Sequence, residues 1–74
     1  MDYKDFLSAL KNLEVLKVGS WLGVDAGNVK YHIHKGKDGF VLSKSEDKEN
    51  YKFFKKLNKN DVIDFLKDVN GVIF

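Results

Sequence analysis

Ser45-Glu46-Asp47-Lys48-Glu49-Asn50-Tyr51-Lys52-Phe53-Phe54-Lys55-Lys56-Leu57-Asn58-Lys59 is the stretch on which the fold turns. Read as a strand, it puts Tyr51, Phe53 and Leu57 on one face, but Lys55 interrupts that face and Phe54 lies opposite. Wound as a helix, it gathers Lys48, Lys52, Lys55, Lys56 and Lys59 within an arc of about 100°. Tyr51, Phe53, Phe54 and Leu57 then fall on the other side. Ser45 suits an N-cap, and Glu46, Asp47 and Glu49 suit the positive end of the helix dipole. The pattern predicts a helix, with a strand over 46–57 as the competing reading.

On the C-terminal side, Asn58-Lys59-Asn60 breaks this helix and Asn60 caps the next. There Val62, Ile63, Phe65, Leu66 and Val69 form an inner face, and Asp64, Lys67 and Asp68 an outer one. Asn70-Gly71 supplies a left-handed stop, and the apolar Val72-Ile73-Phe74 is expected to pack on the sheet, as a short edge strand at most. On the N-terminal side, Phe40-Val41-Leu42-Ser43 reads as a strand, preceded by the glycine-containing hairpin loop 35–39. Val29, Tyr31 and Ile33 alternate with Lys30, His32 and His34, which is a half-buried strand. Asp25-Ala26-Gly27-Asn28 is a turn.

From Val15 to Val24 the even positions (Leu16, Val18, Ser20, Leu22, Val24) read as an inner face. The odd ones include Trp21, with Gly19 and Gly23 marking a bulge or bend. Asp2 caps a first helix running to about Leu13, whose apolar stripe is Tyr3, Phe6, Leu7, Leu10 and Leu13. The expectation is one small α+β domain over residues 1–74: an N-terminal helix, a three-stranded antiparallel meander and two C-terminal helices, in the order αβββαα.

Composition narrows the chemistry. The 74 residues include 13 Lys and no Arg, 8 Asp, 3 Glu, 2 His, no Cys and no Pro, for a net charge of +2. Without Cys there is no disulfide scaffold, thiolate zinc site or cysteine nucleophile. No apolar run approaches the length of a membrane span, and the N-terminus lacks the basic and apolar regions of a signal peptide. The expected setting is cytoplasmic (the host cytoplasm, for a phage-borne gene), with no membrane contact. The missing Arg disfavours base-specific DNA reading, because lysine offers phosphate only a point charge and not a planar fork.

Each candidate site follows from these placements. His32 and His34 share one side of a strand about 7 Å apart, beside Lys30. They read as solvent-face histidines, since a closed metal site needs more ligands than Asp25 or Asp38 supply and Lys30 repels a cation. The carboxylates sit at helix starts or on outer helix faces, and no paired-acid, triad or glycine-rich phosphate loop is present. No catalytic residue, cofactor or metal is expected. The lysine face of Lys48, Lys52, Lys55, Lys56 and Lys59 is the leading contact surface, for phosphates or for an acidic protein patch. On a helix no aromatic interleaves with these lysines, which speaks against a stacking platform for single strands. Trp21 is the second contact candidate. It anchors a partner if its sheet face is open, and is core if a bulge at Gly19 or Gly23 flips the register.

The layout of helix, three-stranded meander and two helices, with the hairpin around Gly36 and Gly39 and the run Val41-Leu42-Ser43-Lys44-Ser45-Glu46-Asp47, resembles small phage-encoded anti-CRISPR inhibitors of the type II RNA-guided nuclease. That resemblance implies a non-enzymatic protein-binding module that inhibits a host protein, such as an RNA-guided nuclease complex. The inhibitors it resembles are acidic DNA mimics, whereas this chain is slightly basic, so it points instead to docking on a protein surface. The alternative is a small accessory protein binding nucleic acid nonspecifically through the lysine face. A homodimer joined through a sheet edge or the segment at Phe74 is a third.

Overall fold

Asp2 accepts the backbone N–H of Asp5 at 2.9 Å and so opens helix α1 (Tyr3–Val15), as the sequence predicts. The computed structural model describes residues 2–47 and 49–69, and the backbone of 72–73. Helix α1 buries Ala9 and Leu13, with Phe6 packed beside them, while Tyr3 and Leu7 stay exposed. The five-residue stripe expected on this helix is therefore narrower. Phe6, Ala9 and Leu13 lie within about 60° of one another at helical pitch, and Ala9 lets the axis approach the sheet.

The alternation over Val15–Val24 does not make one long strand. Val15 is still helical, and a turn follows in which Ser20 N–H donates to the Lys17 carbonyl at 2.9 Å and Gly19 takes φ +91°. Only a glycine adopts that angle without strain. Strand β1 (Trp21–Asp25) starts after it, and Val18 is left exposed. The Asp25 carboxylate then accepts Gly27 N–H at 3.0 Å to shape the turn into β2 (Lys30–Lys35), which pairs through the expected hairpin with β3 (Phe40–Ser45).

The largest departure is at 45–59. There is no helix there: Ser45 ends β3, a turn follows, and β4 (Lys52–Leu57) returns antiparallel to β3. The register gives the reason. Ser43 pairs with Phe53 and Leu42 with Lys55, so Phe54 is one extra residue, a bulge. It shifts the period-two alternation by one place, so that Lys52 and Lys55, three residues apart, share a face as they would on a helix.

Asn58, not Asn60, caps helix α2 (Lys59–Asp68): it accepts Asp61 N–H at 2.7 Å, and Asp61 accepts Asn58 N–H in return. Val62 and Leu66 are buried and Ile63, Phe65 and Val69 half-buried, the inner face read from the sequence. The expected Asn70-Gly71 stop lies outside the described residues, as does Phe74. Strand β5 (Val72–Ile73) pairs antiparallel with β1, so the C-terminal segment does form a sheet edge.

The whole is a small α+β domain whose sheet runs in the order β4-β3-β2-β1-β5. Leu22, Val24, Ile33, Phe40, Leu42 and Leu57 line one face and meet Ala9, Leu13, Val62 and Leu66 from the helices. The shortest molecular axis is 17 Å, enough for one sheet and one helical layer spaced about 10 Å apart but not for a third layer. Both described helices lie on one face of the sheet.

Candidate binding face

Directly opposed residues of an antiparallel pair share a face, so the register lays out the surface opposite the helices. One row reads Trp21, His34, Val41 and Lys56, and the next reads Gly23, His32, Ser43 and Phe53. The face to which Trp21 belongs is thus settled. Helices cover the other side, and Trp21 is 47% exposed, the open alternative rather than the buried one.

His32 stands between two residues with little or no side chain, Gly23 and Ser43. Larger rings from neighbouring rows lean over it: Trp21 stacks at 3.9 Å between centroids and 21° between planes, Tyr51 at 3.7 Å and 13°. The three rings, from β1, β2 and the turn before β4, form a column, and His34 adds an edge contact to His32 at 5.8 Å. Stacks of this kind hold aromatic side chains in fixed orientation. Burial of the His32 ring, then the charges of His34 and Lys30, hold its pKa below the usual histidine value. Its surroundings thus favour the neutral imidazole.

The turn before β4 places Tyr51 on this column. Asp47 accepts Ser45 Oγ–H at 2.9 Å, Glu49 N–H at 2.9 Å, Asn50 N–H at 2.8 Å and the Asn50 side-chain amide at 3.0 Å. Donors that favour the carboxylate form hold its pKa well below the usual range, the Asn50 N–H contributing most. Ser45 and Asp47, read as the opening of a helix, spend the same side-chain chemistry on a turn.

The expected lysine face is split. Lys56 lies on the open face; Lys52 and Lys55 share the helix side with Lys44; Lys59 begins α2; and Lys48 lies outside the described residues. Lys44 and Lys55 instead both approach the Phe54 ring, their ammonium groups 5.4 and 5.5 Å from its centroid. Sequence reasoning placed His32 on an outer face but not in a stack, and it missed Tyr51, Phe53 and Phe54 as surface residues of interest. The signal was present in the density of Tyr and Phe at 51–54, which favours a strand. Among the described residues no three His, Asp or Glu converge as metal ligands would.

Charge is divided between the layers. Among the described residues, 2–16 and 58–69, the helical layer, carry four lysines against six carboxylates, while 17–47 and 49–57 carry eight lysines against five. The sheet is thus the basic side of a nearly neutral molecule.

Fold and face together define a two-layer α+β domain whose sheet leaves one side open, with an aromatic column across it. No family model, curated protein or solved structure matches the chain. Among the described residues no helix is long and apolar enough to cross a membrane.

Proposed function

We propose that this protein is a non-enzymatic binding module that takes single-stranded nucleic acid on the open face of its sheet. The observation that carries this reading is the Trp21–His32–Tyr51 column, with Phe53 (65% exposed) alongside, on the basic layer of the molecule. Unpaired bases stack on aromatic side chains of open sheets, each stack contributing about 1–3 kcal/mol, and every base has a π-face to offer. Lys30 and Lys56 on the same face supply point charges for phosphates. With lysine as the only strong cation, contact with the backbone is nonspecific and base preference comes from stacking. The argument against a stacking platform rested on a helix at 45–59. On a strand, aromatics and lysines do interleave.

The test uses the single tryptophan. Oligothymidylate of about 12 nucleotides, within the usual site sizes of such faces, should quench Trp21 emission. Phe53→Ala should weaken binding by about tenfold, the loss of one stacked base. An unchanged emission with DNA and RNA alike sinks the reading. If a pull-down from host lysate then returns one stoichiometric protein, the face is a protein-docking surface, and the inhibitor reading drawn from the resemblance replaces this one.

A further inference from the structure

Lys44 and Lys52 are directly opposed on the helix side of the β3–β4 pair. Like charges placed so repel, and an anion between them relieves the repulsion. Phe54, the bulge residue, is 48% exposed, with the ammonium groups of Lys44 and Lys55 each near its ring. A cleft of about 610 Å³ is lined by Lys44, Lys52, Phe54, Asp47 and Asn50, and also by Phe53, which belongs to the open face. Its volume falls in the range of small-ligand sites. The cleft therefore reaches round the β4 edge from one face of the sheet to the other. Two carboxylates stand in its wall: Asp47 is spent on the turn, and Glu46, 80% exposed, pairs with Lys44 at 3.6 Å. So exposed an ion pair is weak and gives way to a phosphate.

We infer that this cleft is a second nucleotide subsite, with a base on Phe54 and a phosphate between Lys44 and Lys52, so that a bound strand passes from the open face over the β4 edge. The inference rests on the nucleic-acid reading above and adds the path of the strand. The bulge is what makes the path available. Without the extra residue, Phe53 and Phe54 would simply alternate, and Lys52 and Lys55 would not share a face.

Affinity for the same oligothymidylate is measured by anisotropy between about 50 and 200 mM salt, with Trp21 emission followed in parallel. Single-strand contacts contribute about −0.7 each to the log–log salt slope, so Lys30, Lys56, Lys44 and Lys52 together give about −2.8. The double variant Lys44→Gln/Lys52→Gln should fall to about −1.4 while still quenching Trp21. Phe54→Ala, which leaves every lysine in place, should weaken binding about tenfold at an unchanged slope. Circular dichroism establishes that both variants are folded. Quenching of Trp21 with wild-type slope and affinity in both variants overturns the second subsite and leaves the open-face reading standing. No quenching by any oligonucleotide overturns both.

Discussion

His32 shows how one side chain takes its properties from its neighbours. Between Trp21 and Tyr51 its ring loses water, and His34 and Lys30 add positive charge beside it. All three effects disfavour the imidazolium form. Because the folded pKa is lowered, the unfolded chain binds more protons as pH falls through about 6.5. Stability is therefore complete above that value and declines below it, levelling off once pH passes the folded pKa. Trp21 emission should report the same titration with a midpoint below about 6.5, and His32→Gln should abolish it. A midpoint above the ordinary value would mean that attraction between the imidazolium and the flanking rings outweighs burial. Asp47 behaves in the opposite sense: a depressed carboxylate pKa holds the turn together above the ordinary aspartate range and releases it in strong acid. The signal for His32 was partly legible, since alternation put it on an outer face with His34. Its partners were not, because Tyr51 reaches it only through a turn that had been read as a helix.

At the scale of elements, caps and turns were the easier part. Asp2 was identified from the sequence, and the Asn58–Asp61 box lies two residues from the cap expected at Asn60. Asn58→Ala removes the acceptor for Asp61 N–H and should lower stability by about 1 kcal/mol in urea melts, with the m-value unchanged. A change within error would mean that water satisfies that helix end. The 45–59 segment was the harder part, for a definite reason. Lys52, Lys55, Lys56 and Lys59 stand at i, i+3, i+4 and i+7, the signature of a helical face. A bulged strand reproduces the i, i+3 part of that spacing, since Lys52 and Lys55 share a face while Lys56 stands on the other, and hydropathy periodicity in a short window does not distinguish the two. What decides is the free β3 edge: Phe40, Leu42 and Lys44 offer backbone groups that β4 pairs, a long-range interaction invisible in a local window.

For the whole molecule, size governs stability. A 74-residue domain has on the order of 5 kcal/mol to lose. Ile33 sits fully buried in the middle strand, between Leu22 on β1 and Leu42 on β3. Ile33→Ala should therefore cost about 2–5 kcal/mol and leave much of the protein unfolded at 37 °C, read by circular dichroism. A loss well under 1 kcal/mol would mean that the helical layer collapses onto the gap. Size also explains the open face. Two helices cover one side of a five-stranded sheet, and the described chain has no third layer to place on the other. Aromatic side chains on that side cover one another instead, Trp21 and Tyr51 over His32.

The sequence by itself determined the class of the domain, its first helix, the β1–β3 meander, the inner face of the last helix and the basic character of the residues between the helices. These are local matters: period, caps, turn residues and charge act within a few positions along the chain. Only the tertiary structure decided that 52–57 is a strand, that the lysines divide between two faces, and that His32 is held between Trp21 and Tyr51. Each depends on which backbone finds an unpaired sheet edge, and one bulged residue, Phe54, is enough to change the face on which every following side chain stands.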